Sequence, residues 1–586
     1  MRTPAPSTEI ATRGHDGPDA RPSGARPGRP SLTDRVGERM SRATLFGRRL
    51  GDIRADLARR PVPQHWTNLF GVVTVACLVV LTVTGILLMF WYTPSSATTT
   101  YDGAYAPLRG AEVSHAFAST MRITFEIPGG LLVRQAHHWA GLLLPAAIIM
   151  QLVTTFFTGA FRKPRRGMWV LLFLIFVAAL AGGWSGYALP DDLLSGTGLR
   201  ITEGIALGIP VVGTWLASLL FGGSFPGEVI ANLYPLHVVI VPAVLIGLVA
   251  LRAFAAWRVG PVQFPGAAGA RAEEHRPSTG GRNVSPDHLS PTSEAGTPSP
   301  NRLVGVPLWP NAAARAGGLL ALVTGVLLVI SATVTVNPIW LYGPADPGNA
   351  GAGSQPDWYT GFLDGALRLA PSGWEIVLFD RTWTLALLVP LAVVTAFLVA
   401  ILVYPFLEAW ATGDRREHHL LERPRTTPTR TGIGVAAIVF YCTLWAAGSA
   451  DLIATQFSVT LEGVITALQV TLPLGPVIGF AAARRVCLGL QRKDRDAVLH
   501  GYETGRIVRL PGGEYVEVHA PLSAEARARI ERPEPRFLLV LHPDERGRLP
   551  LARRLQVRLS RWYLADSIDS ETGARMVPVG GAVRRP

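Results

Sequence analysis

The distribution of apolar residues divides the chain into long hydrophobic runs separated by polar loops. A helix needs about 20 predominantly apolar residues to cross the hydrocarbon core of a bilayer. Nine stretches of the chain are apolar enough to consider. One of them, 206–222, is interrupted by Pro210, so we expect it to lie along the outer surface of the membrane. The pattern therefore predicts an all-α membrane protein with eight transmembrane helices, near residues 69–92, 135–159, 168–189, 229–251, 316–336, 383–405, 432–450 and 463–483.

Basic residues give the orientation of these helices. Arg162, Lys163, Arg165 and Arg166 crowd the loop after the second span, and arginines are again concentrated at 415–430, after the sixth. Short loops rich in lysine and arginine face the cytoplasm. With eight spans, these loops and both chain termini fall on the same side. We therefore expect a multi-pass protein of the cell membrane with cytoplasmic termini.

Changes in composition divide the chain into five regions. The last of them contains short apolar alternations at Tyr515–Val518 and Phe537–Leu541, which suggest a small folded extension. The regions are a disordered basic tail (1–64), a first half with four spans (65–257), a Pro/Ser/Gly-rich cytoplasmic linker (258–303), a second half with four spans (304–483) and a cytoplasmic extension (484–586).

The overall composition agrees with a membrane protein. The 586-residue chain is 48% hydrophobic and only 17% charged, whereas soluble domains carry about 25% charged residues. Arginines at the cytoplasmic face and anionic lipid headgroups explain its net charge of +13. No basic motif is interleaved with aromatic residues, which argues against nucleic acid as a partner. The three cysteines form no CxxC pair, which excludes a cysteine-ligated zinc or iron–sulfur site and covalent c-type haem.

Histidines are the remaining candidates for metal ligands. Of thirteen histidines, three lie inside predicted spans: His137 and His138 in the second, and His237 in the fourth. Ionisable groups within a bilayer are costly and usually functional, and imidazoles from two facing helices suit haem iron. His138 points about 100° away from His137, so the two cannot face one iron. On helix geometry alone, interfacial histidines bound to backbone carbonyls or water remain an open alternative.

Several longer motifs carry a family resemblance. The sequence resembles the cytochrome b subunit of quinol–cytochrome c reductases (the cytochrome bc1 complex), especially the actinobacterial branch, from about His65 to about Pro521. The segments that carry it are GGLLVRQAHHW (129–139), FTGAFRKPR (157–165), GYALPDDLLSGTGLRI (186–201), PVVGTW (210–215), NPIW (337–340), GSQPDWY (353–359), YPFLE (404–408) and GLQRKDR (489–495).

The resemblance implies a four-helix haem-binding bundle followed by a four-helix C-terminal half. Such cytochromes hold two b haems, one above the other across the membrane. The ligands of the outer, low-potential haem match His137 and His237, and Arg134 matches a residue that neutralises a haem propionate. An interfacial arginine that extends toward the headgroups is the alternative for Arg134. Glycines that let the porphyrin pack against the helix backbone match Gly71, Gly85 and Gly186.

The positions expected for the inner haem have changed. The second ligand on each helix should follow about 14 residues later, roughly 21 Å along the axis. Those positions hold Gln151 on one helix and Leu251 or Arg252 on the other, and Leu172 replaces the inner glycine of the third span. Neither an arginine nor a leucine offers iron a lone pair, and glutamine is a poor ligand. We therefore predict one haem b per chain; chance divergence of a decaying paralogue is the alternative.

The quinol-oxidation site is expected beside the outer haem. By resemblance, Pro356, Asp357, Trp358 and Tyr359 match the family's PEWY motif with Asp in place of Glu, and Gly186 and Pro190 of GYALPDD belong to the same site. Asp357 can accept a proton from quinol, and the Tyr359 hydroxyl can donate a hydrogen bond. Alone, the PDWY motif would rather indicate an interfacial turn with membrane-belt aromatics; beside GYALPDD it indicates the quinol site.

The leading hypothesis is a subunit of a menaquinol–cytochrome c reductase that oxidises menaquinol at the outer face. Electrons would pass to a Rieske iron–sulfur protein and to the single haem, and a Q cycle would be in doubt without the inner haem. A cytochrome c subunit, membrane lipid, a homodimer and an oxidase supercomplex are further partners implied by resemblance. The alternative is a non-catalytic paralogue that serves as a scaffold, an assembly subunit or a single-haem quinol-binding protein. A transporter is disfavoured because the spans lack paired broken helices.

Overall fold

A computed structural model describes most of the chain. The described residues are 51–52, 54–55, 57–58, 60–223, 225–265, 305–346, 348, 357–523, 526–527, 530, 538–541, 550–565 and 576–579. The chain divides into Met1–Arg60 and one compact unit, Pro61–Pro586, to which everything below refers. Most of the predicted basic tail and linker, and Pro356, lie outside the described residues.

Helices dominate the fold. In chain order they are α1 (Leu69–Met89), α2 (His115–Phe125), α3 (Gly130–Phe157), α4 (Arg166–Ala188), α5 (Leu193–Leu207), α6 (Gly213–Phe221), α7 (Val229–Val259), α8 (Ala313–Thr333), α9 (Ile339–Tyr342), α10 (Gly361–Arg368), α11 (Leu385–Thr412), α12 (Pro428–Gly448), α13 (Ala450–Phe457), α14 (Leu461–His500) and α15 (Leu551–Leu564). Within the described residues, eight are long and apolar enough to cross a bilayer: α1, α3, α4, α7, α8, α11, α12 and α14. The predicted all-α architecture with eight spans is therefore confirmed.

Two segments differ from a simple series of spans. The apolar stretch 206–222 is broken between α5 and α6, and α6 has nine residues, far fewer than the 20 or so that a crossing needs. The helix α14 continues to His500, beyond the predicted end of the span at 483. Its extra turns are held by an ion pair between Arg425 and Asp494, with Nε and Oδ2 2.8 Å apart, and by Gln491, which donates to the Arg425 carbonyl at 2.6 Å.

Short strands connect and extend the helices. Among the described residues they form five two-stranded sheets, in which each strand has only one partner. The last two sheets belong to the C-terminal extension, so the apolar alternations seen there in the sequence coincide with strands. The pairs are β1 (Pro61–Val62) with β4 (Val306–Pro307), β2 (Thr98–Thr100) with β3 (Glu112–Ser114), β5 (Glu375–Leu378) with β6 (Arg381–Thr384), β7 (Tyr502–Arg509) with β8 (Tyr515–Ala520), and β9 (Leu538–Leu541) with β10 (Met576–Val579).

The helices α1, α3, α4 and α7 form a bundle in the first half of the chain. We call the end of the bundle that carries His137 and His237 the histidine end, and the opposite end, where Arg162 and Arg165 lie, the arginine end. An apolar core fills the bundle between them, with small alanines where helices approach closely. Its most buried members include Cys77, Ala136, Ala140, Ile148, Leu172 and Ile175.

The GYALPDD motif ends α4 and begins α5. Asp191 has a positive φ of 53° and turns the chain. Asp192 then caps α5, because its carboxylate accepts from the Ser195 hydroxyl at 2.7 Å while its backbone N–H donates back to that oxygen at 3.0 Å. The Ala345 N–H donates to the Asp191 carbonyl at 2.9 Å. The motif thereby fixes the loop from the second half of the chain beneath the histidine end.

Candidate haem and quinol site

Two histidine rings face each other inside the bundle. His137 lies on α3 and His237 on α7, and their ring centroids are 6.1 Å apart at an interplanar angle of 71°. His237 sits in a π-helical turn, Leu236–Ile240. The turn lies between Pro235 and Pro242, which lack the N–H groups that a regular α-helix would use there.

A hydrogen bond fixes the tautomer of His137. Its Nδ1 is 2.9 Å from Oγ1 of Thr84 on α1. The Thr84 hydroxyl donates its one proton to the Val80 carbonyl at 2.6 Å, so its oxygen must accept the proton from Nδ1. The lone pair of the imidazole therefore resides on Nε2, the arrangement typical of a metal-binding histidine.

The same logic applies to His237. Its Nδ1 lies 3.1 Å from the Gly182 carbonyl of α4, which can only accept. Oγ of Ser185 is 3.2 Å from the same nitrogen. Nδ1 therefore carries the proton and Nε2 the lone pair. Both histidines present an unprotonated nitrogen, as axial ligands of iron require.

Two of the predicted glycines make room for these rings. A Cβ at Gly85 would come within 3.2 Å of Cε1 of His137, and a Cβ at Gly186 would collide with Cε1 of His237. Gly71 has a different neighbour, since a Cβ there would lie 3.6 Å from Nε2 of Gln151. Gly85 and Gly186 thus belong to the histidine level of the bundle, whereas Gly71 belongs to the Gln151 level.

A cavity of about 270 Å3 opens between α1, α3, α4 and α7 at this level. Most of its surface is apolar, which suits a porphyrin ring or an isoprenoid quinol. The predicted residues that the structure brings together around it are Gly85, Arg134, His137, Gly186, Pro190, His237, Asp357 and Tyr359.

Arg134 supplies a cation at the edge of the cavity. Its Nη2 donates to the Asn337 carbonyl at 2.8 Å. Its Nη1 is buried and has no hydrogen-bond partner among the described residues. A buried guanidinium group with an unsatisfied donor is costly unless an anion completes it. The residues present therefore fit a haem: two imidazole nitrogens, a space kept open by glycines and a donor for a carboxylate.

Asp357 is the centre of a second polar group in the same cavity. The Tyr359 hydroxyl donates to its Oδ2 at 2.7 Å, and Nε2 of His138 lies 3.2 Å from its Oδ1. Burial, and then the nearby Asp357 carboxylate, raise the pKa of Tyr359 well above its ordinary value. Tyr359 therefore stays protonated and acts as a donor. Trp358 points elsewhere, and its Nε1 donates to the Leu142 carbonyl of α3 at 3.2 Å.

Sequence reasoning missed three residues of this site. His138 was left without a role, and its contact with Asp357 spans 219 residues, so no local pattern could reveal it. Thr84 and Ser185, which contact the two ligand rings, immediately precede Gly85 and Gly186. A hydroxyl residue directly before Gly85 and before Gly186, inside otherwise apolar spans, is a signal that the sequence offers.

The positions expected for an inner haem contain packed side chains. Gln151 is buried, and its Nε2 donates to Oγ1 of Thr74 at 2.9 Å. Leu172 is 1% exposed and belongs to the apolar core. Leu251 is 51% exposed and faces outward, whereas Nε of Arg252 is buried without a hydrogen-bond partner among the described residues. Arg252 is thus the inward-facing one of the two alternatives.

Comparisons with known proteins agree with this geometry. The sequence profile of the family described as "Cytochrome b(N-terminal)/b6/petB" matches residues 142–344. The "Cytochrome bc1 complex cytochrome b subunit" of Streptomyces coelicolor is 41% identical over 514 residues, covering 87% of this chain and 89% of that protein. Its namesake in Mycobacterium tuberculosis is 41% identical over 462 residues, or 78% of each chain.

One solved structure shows the same fold. It is titled "Hyperthermophilic respiratory Complex III" and superposes with a TM-score of 0.50 at 19% identity, covering 77% of this chain and all (100%) of that one. The curated relatives carry the identification, because they are similar over most of their length. The predicted family is confirmed: this chain belongs to the cytochrome b subunits of cytochrome bc1 complexes.

Proposed function

We propose that the chain oxidises menaquinol at the histidine end, within a menaquinol–cytochrome c reductase. Membership of the family makes it a haem b protein and a subunit of an oxidoreductase complex. The observation that carries the finer proposal is the shared cavity, which places His137 and His237 beside Asp357 and Tyr359. Electrons would leave toward a Rieske iron–sulfur protein and a cytochrome c subunit. The arginine-rich loops support a cytoplasmic arginine end with both termini on that side.

The haem would be held by this chain's own residues. His137 and His237 offer Nε2, Gly85 and Gly186 leave room against their helices, and Nη1 of Arg134 offers a hydrogen bond to a propionate. When bound, the haem supplies one-electron redox chemistry. The hydrogen bonds that the two Nδ1–H groups donate to Thr84 Oγ1 and to the Gly182 carbonyl keep the imidazoles in the tautomer that can bind iron.

Asp357 is the proposed proton acceptor for quinol. Tyr359 orients the Asp357 carboxylate by donating a hydrogen bond to Oδ2. The other oxygen, Oδ1, lies within hydrogen-bond reach of His138 Nε2. Removal of a quinol hydroxyl proton at a carboxylate oxygen is general-base catalysis. The largely apolar cavity restricts water around this group, which strengthens hydrogen bonds to the carboxylate.

We further propose a single haem b per chain. Support comes from the arginine side of the bundle core, where Gln151 bonds Thr74, Leu172 is buried and Arg252 replaces a ligand. None of these side chains suits a bis-imidazole site. The same observations favour the second candidate, a single-haem paralogue that serves as a scaffold or quinol-binding protein, because the usual path for electrons across the membrane is missing.

Two measurements on purified protein test the proposal. A pyridine haemochrome assay should give one b haem per chain; two haems, with two bis-imidazole spectra, would contradict the single-haem proposal. Menaquinol oxidation with the co-purified Rieske protein should proceed in the wild type and fall sharply in Asp357→Asn. A protein that binds one haem and a Rieske partner but never oxidises quinol would support the scaffold instead.

A further inference from the structure

The helix α15 of the C-terminal extension is fixed to two membrane spans. The Tyr563 hydroxyl donates to Oε2 of Glu408 on α11 at 2.7 Å, and Gln556 donates to the Trp410 carbonyl at 2.7 Å. The Trp562 ring stacks on Phe480 of α14, with centroids 6.1 Å apart and planes 14° from parallel. Because Phe480 lies within the apolar part of α14, this contact sets α15 at the level where that span ends.

One face of α15 makes this attachment. Val557, Ser560, Tyr563 and Leu564 are all buried, at 4%, 0%, 6% and 5% exposure. At about 100° per residue they occupy one side of the helical wheel. The rest of the helix surface is largely exposed; the Trp562 ring stacks on Phe480 and still remains about half exposed.

The exposed face consists of two parallel strips. Leu551, Leu555 and Trp562 form an apolar strip, with exposures of 82%, 52% and 48%, and lie within about 40° of one another on the wheel. Directly beside this strip, within about 60°, run the exposed arginines Arg554, Arg558 and Arg561. The sequence LARRLQVRLSRWYL contains no acidic residue.

We propose that this face of α15 binds the anionic headgroups of the adjacent lipid leaflet. An apolar strip next to a basic strip, on a helix held at membrane depth, is the pattern of an interfacial helix. The arginines complement lipid phosphates, and the aromatic ring of Trp562 lies where membrane interfaces favour tryptophan.

The occupant is therefore lipid, as distinct from a second protein. A partner subunit would need to cover three exposed arginines in a strip only about 16 Å long, measured along the helix axis from Leu551 to Trp562. A lipid leaflet supplies acyl chains for the apolar strip and, next to them, negatively charged headgroups for the basic strip. This inference is independent of haem content and of quinol oxidation.

The test places a fluorophore on the exposed apolar strip of the full chain. Cys442 is exposed and is changed to serine, while Cys77 and Cys487 are buried and stay. Leu555→Cys is labelled with NBD and reconstituted in nanodiscs that contain phosphatidylcholine or phosphatidylglycerol with a nitroxide on the acyl chain near the headgroup, at equal mole fractions. The label should be quenched more strongly by the nitroxide phosphatidylglycerol.

Two variants separate charge from simple proximity. Each surface arginine contributes about fivefold to the partitioning of anionic lipid, so Arg554→Gln/Arg558→Gln/Arg561→Gln should reduce the ratio of quenching by the two lipids to about one. The matched control, Arg506→Gln/Arg509→Gln on β7, should leave the ratio unchanged. A label at Val477, which is 65% exposed on α14, should be quenched equally by both lipids.

Three results would overturn the proposal. Equal quenching of the Leu555 label by both lipids in the wild type would show that the helix meets lipid without selecting charge. No quenching by either lipid, with the Val477 label still quenched, would show that the face is covered by protein or faces water. Loss of the ratio in the β7 control would assign the selectivity to overall charge. Unchanged melting temperatures of the variants establish that they remain folded.

Discussion

The glycines of α1 and α4 allow the haem count to be tested without touching a ligand. Gly186→Ala introduces a methyl group that collides with the ring of His237, whereas Gly71→Ala introduces one that lies 3.6 Å from Nε2 of Gln151. The second distance is ordinary van der Waals contact. The two substitutions are chemically identical, and they address the two levels of the bundle separately.

Opposite effects are expected at the two levels. Replacing glycine by alanine inside a helix contributes up to about 1 kcal/mol of stability, while forcing a methyl group into filled space costs about 1–3 kcal/mol. At Gly186 the collision outweighs the gain, and His237 must move, so haem content should fall well below one per chain. At Gly71 the contact is favourable, so haem content should stay at one and the melting temperature should hold or rise slightly.

Haem per chain by pyridine haemochrome, together with the melting temperature, measures both variants. Gly85→Ala should have an intermediate effect on haem content. Its methyl group would approach Cε1 of His137 to 3.2 Å, and a small shift of the ring could accommodate it. If Gly71→Ala loses half of a two-haem complement, an inner haem exists and the assignment of Gln151 and Leu172 as its replacements is wrong. If Gly186→Ala keeps full haem content, the histidine-level site is misassigned.

Five other substitutions test single side chains. His237→Ala should abolish haem binding, and unchanged haem content would refute the ligand assignment. Thr84→Val removes the acceptor for Nδ1 of His137 and should weaken haem binding about 10- to 100-fold, which a haem-transfer assay measures. Asp357→Asn should slow menaquinol oxidation by about 100-fold or more at unchanged haem content; equal turnover would exclude Asp357 as the proton acceptor. Arg430→Met breaks the buried pair with Glu408, whose Oε1 is 2.6 Å from Nη2, and should cost about 3–5 kcal/mol of stability. Tyr563→Phe should cost less, about 1.5–3 kcal/mol for one hydrogen bond to a charged group, because Glu408 keeps its bonds to Arg430; equal drops in melting temperature would contradict this order.

The fold was predictable where the signal is local. Runs of about 20 apolar residues place the spans because the bilayer sets their length, independently of packing. The end of α14 was not predictable from hydropathy, since its last turns are polar and depend on the distant Arg425. The position of α15 in the C-terminal extension was likewise not predictable, because it depends on Glu408 and Phe480, more than 80 residues away in sequence.

The candidate site shows the same contrast between features that a local sequence signal predicts and features that depend on distant residues. The candidates His137 and His237 could be picked out because histidine is rare inside a membrane, and their role as haem ligands remains a prediction from the family resemblance. Their tautomers could not, because these depend on Thr84, Gly182 and the hydrogen bonds of neighbouring helices. The link between His138 and Asp357 joins the two halves of the chain. It follows from the contacts that Asp357 and Trp358 make with α3, which no periodicity encodes.

Under the single-haem proposal, the side chains at the inner positions occupy space that a second haem would otherwise fill. An empty space there would cost about 24 cal/mol per Å3. A buried leucine at 172 fills space, and Gln151 satisfies its amide through Thr74. Under the single-haem proposal, an electron that reaches the histidine-level haem has no second haem about 21 Å further along the helices. Both electrons of each quinol must then leave on the side where they entered. Such a subunit would oxidise quinol without moving charge across the membrane through its own bundle.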